Sequence, residues 1–498
     1  MPSLAARLAA AVMLLMGQVR RVSRTPEPSP WIPTPQLVDQ YGYVVEEYHV
    51  TTEDGYVLTL HRMPPRALSQ QKEEEESPMS FWRLLVPWDD AQTKGSANVS
   101  HPPVMVQHGL MGSSADWTLP GPMRGLPYIL VDEGYDVWLG NTRGNIYSRN
   151  HTTLHPVRDK QKFWNFSWHE MGVYDLPTCI EHILRVTGQK RLFYIGYSQG
   201  TTAFFVMGSE RPDMCPKVRA MLAMAPVAFM SHVRSPLIRM AARFDGMLTA
   251  VVNQLGMHEL VPHSEFLEGL GATICRSKAV YKDVCTNLLF LMAGYSSKHL
   301  NSTLLPLIMG HTPAGAAMKQ LMHYGQEINS GRFRKFDYGQ RNPEVYGCPS
   351  PPDYVLSRVE VPVALFHSRN DWLAATQRIS VSVLKLAPAS DGTWRIGTCI
   401  CIEGWAVELP GSLPTALHDR SLVVTGSGPG GSPQAGTKFK EEDMALSDSD
   451  VMKLYEHLPM RIGMFPIEDP EFTHLDFMWA LQSRELVYDR LLRVLQRY

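Results

Sequence analysis

Residues Tyr194-Ile-Gly-Tyr-Ser-Gln-Gly-Thr-Thr-Ala203 set one serine between two glycines. Before it, Leu192-Phe-Tyr-Ile195 is an unbroken apolar run. After it, Thr201 to Glu210 reads as a helix. A short continuous apolar run fits a strand covered on both faces. A strand that turns sharply into a helix exposes the residue at the turn. Its neighbours must be small, because the backbone there is crowded and strained. Gly196 and Gly200 are those neighbours, and Ser198 is a candidate nucleophile. The G-x-S-x-G pattern is short, so its surroundings must carry the reading.

Working outward, Val44 to Arg62 alternates apolar and polar residues around Asp54-Gly55, a β-hairpin signal. Val104-Met-Val106 and Tyr135-Asp-Val-Trp-Leu139 read as buried strands. Asp175 and Pro177 suit the first turn of a helix. Ile180, Ile183 and Leu184 follow helical spacing, and Gly188 closes it. Met221 to Met224, Val361 to Phe366 and Arg461 to Phe465 are further strands, and an amphipathic helix is expected over about 483–497. Strands and helices alternating at this spacing predict an α/β fold with a mostly parallel central sheet and crossover helices. From 229 to 350 helical spacing takes over, which predicts a largely helical insertion. The core is expected in two parts, 30–228 and 351–498.

A serine hydroxyl needs a base, a group that orients the base, and donors for the oxyanion. On this topology the order along the chain is Ser, Asp or Glu, His. Asp371 follows strand 361–366 and is placed as the acid. His474 lies after strand 461–465 and before the last helix, and is placed as the base. Asp476 stands nearby, but its place in the chain order is wrong for the acid. One oxyanion N–H is expected from Gln199, the residue after the serine. The other is expected from Leu110, in the His108-Gly-Leu-Met-Gly112 loop after strand 104–106. This chemistry needs no metal and no organic cofactor.

Net charge is −2, from 47 basic and 49 acidic residues, so nothing favours a nucleic-acid partner. Arg7 precedes an apolar run, Leu8 to Met16, too short to span a bilayer. Residues 1–19 read as a secretory signal peptide, with a buried N-terminal helix as the alternative. Sequons at Asn98, Asn150, Asn165 and Asn301 agree with secretion. There are seven cysteines, so at least one is unpaired. Cys275 and Cys285 could close a short loop in an oxidising compartment; all seven as buried thiols is the other reading. Residues 64–100, with a Glu73–Glu76 run, read as an exposed insertion. Residues 375–447 have no coherent period and are long for a core loop. Nothing in the sequence speaks to oligomeric state.

Together HGLMGSSADW, NTRGNIYSRNHT, FWNFSWHEMGVYDLP, GYSQGTT, HTPAGAAMKQ, SGRFRKFDYG and THLDFMWA resemble the acid lipase family, which includes gastric and lysosomal acid lipases. The resemblance covers about 30–63, 101–374 and 448–497. It implies an α/β-hydrolase core, a helical cap over the active site and hydrolysis of neutral lipid esters at a lipid surface. With the N-terminal segment and the sequons, a secreted or lysosomal protein without a transmembrane helix is expected. The resemblance also puts the nucleophile on Ser198, the acid on Asp371, the base on His474 and the oxyanion donors on Leu110 and Gln199, and it implies a Cys275–Cys285 disulfide.

Three features depart from the family pattern. Tyr197 stands where the family usually has His, and little effect is expected from it. Residues 64–100 lengthen a connection that is usually short. Between Asp371 and His474 the chain is much longer than usual, whereas joining Ala374 to Asp448 restores a family-like continuation. Residues 375–447 therefore read as retained intron or gene-model sequence, with a genuine surface loop as the alternative. Two other functions stay open: a short-chain carboxylesterase, and a non-catalytic lipid-binding or storage protein on the same scaffold.

Overall fold

The apolar runs become strands of one nine-stranded sheet. In chain order they are β1 (Glu46–Thr51), β2 (Tyr56–Met63), β3 (Pro103–Gln107), β4 (Asp136–Gly140), the two-residue β5 (Asn150–His151), β6 (Leu192–Tyr197) and β7 (Val218–Met224). Two short strands, β8 (Glu259–Leu260) and β9 (Ala316–Ala317), pair with each other outside the sheet. β10 (Val363–Ser368) returns to it, β11 (Val381–Lys385), β12 (Ile396–Ile402) and β13 (Trp405–Val407) form a separate antiparallel sheet, and β14 (Arg461–Ile467) closes the main one. The structure is a computed structural model, described for residues 31–66, 101–243, 256–260, 299, 304–374, 381–385, 396–402, 405–407 and 449–498.

Strand order across the main sheet is β1-β2-β4-β3-β6-β7-β10-β14, with β5 added to β2. From β4 to β14 every neighbouring pair is parallel, and only β2 runs antiparallel to β1 and β4. Every residue of β3, β4, β6 and β10 is buried, as their unbroken apolar runs require of a sheet covered on both faces. Each large side chain so removed from water contributes about 1.5–3 kcal/mol. The helix Gln199–Glu210 leaves β6 at Ser198 and is buried along nearly its whole length.

Pro177 lies in the first turn of a helix and Asp175 at its N-terminal boundary, as the sequence suggests, but the Asp175 side chain makes no capping bond. A π-helical turn, Met171–Asp175, runs straight into the helix Leu176–Thr187, and the Asp175 carboxylate instead receives Arg143. The C-terminal helix likewise begins as a π turn, Arg484–Tyr488, before Asp489–Leu495. The stretch 375–447 was read as having no coherent period, yet it contains β11–β13 in register. Val381, Val383, Ile396, Ile400 and Ile402 are the β-branched residues that favour such pairing.

Between 229 and 350 the described residues are mainly helical, including Pro236–Arg243, Leu305–His311 and Met318–Ser330; the small β8–β9 pair carries no periodic signal. Most of 64–100 and residues 1–19, Cys275, Cys285, Asn98 and Asn301 lie outside the described residues. Asn150 and Asn165 are exposed. Among the described residues, Cys179, Cys215 and Cys348 are free thiols, and Cys348 is only partly buried. No described helix is long and apolar enough to cross a membrane.

Candidate active site

The turn from β6 into the following helix holds Ser198 at φ 50° and ψ −117°. A positive φ is costly for a residue with a Cβ, and strain of this kind concentrates at functional sites. Two backbone bonds fix the turn. The Ser198 N–H donates to the Met224 carbonyl at 3.1 Å, and its own carbonyl accepts from the Thr201 N–H at 2.8 Å. Gly200 is required by close approach: a Cβ there would lie 2.6 Å from the Gln107 carbonyl oxygen. Ser198 is partly exposed, while Gln199 and Gly200 on the helix side are buried.

His474 and Asp371 meet at this serine. The Ser198 Oγ lies 2.9 Å from His474 Nε2, and His474 Nδ1 lies 2.7 Å from Asp371 Oδ2. Asp371 is fully buried and His474 almost so. The other carboxylate oxygen of Asp371 accepts from the N–H groups of Leu373 and Ala374, at 2.9 and 2.8 Å. The end of β10 is stitched to the His474 loop. The Ser368 hydroxyl donates to the Phe472 carbonyl, and the Asn370 amide donates to the Glu471 carbonyl at 3.3 Å. Asp476 faces away from the pair, accepting from the Thr473 N–H at 2.7 Å and its hydroxyl at 2.8 Å.

Leu110 and Gln199 flank the serine from two elements. Gly109 packs against it so closely that a Cβ at Gly109 would lie 3.2 Å from the Ser198 Cβ. Among the described residues neither the Leu110 nor the Gln199 N–H has a hydrogen-bond acceptor. Such free donors beside a nucleophile can accept developing negative charge.

His108 sets the shape of this loop, which its sequence position does not announce. Its Nδ1–H donates to the Gly109 carbonyl at 2.8 Å. Its Nε2 accepts from the Thr142 N–H and the Asn145 amide, both at 3.2 Å. Burial pulls the ring down to about 4, so it stays neutral, as one donor and one acceptor require. Residues 312–314 hold the same loop: the Ala314 N–H donates to the Met111 carbonyl at 2.7 Å, and the Thr312 hydroxyl to Asp116 at 2.9 Å. Asp116 also accepts from the Ser113 N–H at 3.1 Å, and burial pushes its carboxyl up to about 7. His299, also between 229 and 350, docks on the other side of the site. Its carbonyl accepts from the Leu481 N–H at 3.0 Å, and its ring lies 2.9 Å from Gln482 Oε1.

A second Ser-His-acid arrangement exists and does not qualify. Ser114 Oγ lies 2.8 Å from His61 Nδ1, and His61 Nε2 lies 3.2 Å from Glu47 Oε2. Ser114 and His61 are fully buried, and Ser114 is also bonded to Thr34 at 2.9 Å, so no carbonyl can reach it. A groove of about 890 Å³ lined by Trp164, Met322, Phe336 and Tyr338 contains none of Ser198, His474 and Asp371, so it is not the site of the Ser198 chemistry. Among the described residues no three His, Cys, Asp or Glu side chains cluster as metal ligands.

With this geometry in view, the relatives are informative. Residues 34–121 match the partial alpha/beta-hydrolase lipase region, and residues 102–266 match the alpha/beta hydrolase fold. Lipase 3 of Drosophila melanogaster is 34% identical over 472 residues, covering 93% of this chain and 92% of the relative. The chain belongs to the acid lipase family. The gastric triacylglycerol lipase of Rattus norvegicus is 34% identical over 355 residues, covering 71% of this chain and 82% of that one. A lipase of Caenorhabditis elegans is 36% identical over 350 residues, covering 70% and 80%. As a family member the chain is an α/β-hydrolase acting on carboxylic ester bonds.

Proposed function

We propose that this lipase hydrolyses neutral lipid esters, triacylglycerols or sterol esters, through an acyl-enzyme on Ser198. His474 Nε2 takes the Ser198 proton as Oγ bonds the ester carbonyl carbon. The Leu110 and Gln199 N–H groups receive the oxyanion, and Asp371 holds the imidazolium that forms. When the tetrahedral intermediate collapses, the ester C–O bond breaks and His474 returns the proton to the leaving alcohol. Water then repeats the sequence and releases the fatty acid. The observation that carries this reading is the unbroken relay from a partly exposed Ser198 through His474 to a buried Asp371.

Residues 229–350 act as the cap and supply the acyl groove. The enzyme is secreted or lysosomal, with its signal in residues 1–19 and glycans at Asn98, Asn150, Asn165 and Asn301. Cys275 and Cys285 form a disulfide in the cap.

The test is fluorophosphonate labelling of the folded protein, with the adduct located by mass spectrometry. One adduct on Ser198 is expected; an unlabelled Ser198 favours the lipid-binding alternative and sinks the hydrolytic reading. Rates on emulsified long-chain and soluble short-chain esters then separate lipase from carboxylesterase. Preference for the short esters rejects the lipid substrate.

The segment 375–447 is dispensable in this reading. Its two ends converge on one stretch of chain: the Arg234 and Ser235 N–H groups donate to the Trp372 carbonyl at 2.9 and 3.2 Å, and the His232 N–H donates to Asp450 at 2.8 Å. Acid and base are joined by β10, β14 and the Ser368 and Asn370 bonds. Deleting 375–447, with Ala374 joined to Asp448, is expected to leave kcat within about tenfold of the parent, or ~1.4 kcal/mol. A folded deletion variant without activity would show that the segment takes part in the site.

A further inference from the structure

Tyr197 is the last residue of β6 and stands directly before Ser198. The sequence reading attaches little consequence to a tyrosine here, but its contacts argue otherwise. Its hydroxyl donates to the backbone carbonyl of His474 at 3.0 Å. Its ring centroid lies 5.1 Å from that of the His474 imidazole, and 6.2 Å from that of Trp117, which it meets edge-on. Gly109 lies so close that a Cβ there would be 3.1 Å from Tyr197 Cδ1 and Cε1. One side chain thus touches the base, borders the oxyanion loop and is bonded through the backbone to the nucleophile.

We propose that Tyr197 is a positioning residue that sets the spacing between Ser198, His474 and the Gly109 loop. The proposal rests on the catalytic reading of Ser198 and His474. His474 lies in the connection after β14, the edge strand of the sheet, and outside any strand, so no sheet ladder holds its main chain. Among the described residues no other donor reaches its carbonyl. The hydrogen bond that His474 Nδ1–H donates to Asp371 orients the imidazole but does not stop the backbone beneath it from drifting. The Tyr197 hydroxyl supplies that restraint, and its aromatic ring is a stiff link of fixed length back to Ser198. Burial, with Asp371, Asp116 and Asp476 nearby, pushes the phenol well above its ordinary range, so it remains a donor. Displacement of a base by about 1 Å can cost on the order of 100-fold in rate, so a restraint of this kind acts on turnover before it acts on binding.

The test is Tyr197→Phe, which keeps the ring and removes the donor. It is assayed on p-nitrophenyl butyrate well below the melting temperature. A fall in kcat of about tenfold or more is expected, with KM within about twofold and a matching fall in the rate of fluorophosphonate inactivation. The low-field proton resonance of the His474–Asp371 hydrogen bond is expected to broaden. A role in stability alone would lower the melting temperature and leave kcat and this resonance unchanged. A kcat within about twofold of the parent, or a change confined to KM, overturns the proposal. If Tyr197→Phe does not fold, Tyr197→Leu, which also lacks the donor, must show the same split. A parent protein that takes no label on Ser198 defeats the catalytic reading itself. Labelling of the parent with an unchanged kcat in Tyr197→Phe defeats only the role of Tyr197.

Discussion

Asp371→Asn is expected to lower kcat about 10⁴-fold with little change in KM or melting temperature. The reason lies in which atoms the amide would face. One carboxylate oxygen of Asp371 is held by two N–H donors, those of Leu373 and Ala374. An asparagine must present its carbonyl oxygen to those donors, which turns its NH₂ group toward His474. The imidazole Nδ1 now lies 2.7 Å from a carboxylate oxygen and donates to it. Opposite an amide donor, Nδ1 must instead accept, and the ring proton moves to Nε2. Nε2 then has a hydrogen to offer Ser198 and no lone pair to take one. The charge that stabilises the imidazolium is lost in the same substitution. Size and hydrogen-bond count hardly change, so the fold should persist. Single-turnover acylation by p-nitrophenyl butyrate and fluorophosphonate inactivation should fall together. A folded variant that keeps kcat within about tenfold of the parent would show that Asp371 does not hold the base.

What could be read from the sequence, and what could not, divides along a physical line. β3, β4 and β6 are announced by apolar runs because burial on both faces leaves a local mark on consecutive residues. Ser198, Asp371 and His474 could be named because each follows a strand end in the chain order that this topology requires. The π turn at Met171–Asp175 leaves no such mark, since it depends on how that turn meets the helix Gln199–Glu210. Contacts between distant residues are equally silent. The Tyr197 hydroxyl reaches a carbonyl 277 positions away, and Asp116 receives a hydroxyl from 196 positions away. Each partner has an ordinary local context, so no spacing rule pairs them. The strands β11–β13 carry little signal for another reason: their runs are short, of three to seven residues, and lie in a long stretch with no other regular pattern.

Arg143→Met is expected to destabilise the fold by about 3–5 kcal/mol, because it leaves buried charge without its partner. The guanidinium is fully buried between two carboxylates on different elements. It donates to Asp54 at 2.6 and 2.9 Å and to Asp175 at 2.8 and 2.6 Å. It also lies 4.1 Å from the Tyr56 ring centroid. Asp54 is in the β1–β2 turn and Asp175 is the last residue of the π turn, so one side chain pins the N-terminal hairpin to the body of the sheet. Burial pushes Asp175 above its ordinary value even with Arg143 beside it. Burial also works to raise Asp54, but the guanidinium more than offsets it and leaves that carboxyl below its ordinary value. The signs are therefore opposite in the parent. Asp175 favours the fold most at low pH and loses that contribution as pH rises through its raised pKa. Asp54 contributes at higher pH and loses its contribution as pH falls. Without Arg143 both carboxyls favour protonation, so the deficit against the parent should be smaller at about pH 5 than at about pH 8. Chemical denaturation at the two pH values measures this directly. Pairing Arg143→Met with Asp175→Leu should recover part of the loss, since an apolar replacement leaves no charge to desolvate. A single variant melting within about 2 °C of the parent at both pH values would mean that the two carboxylates find other partners and that this network does not hold the hairpin.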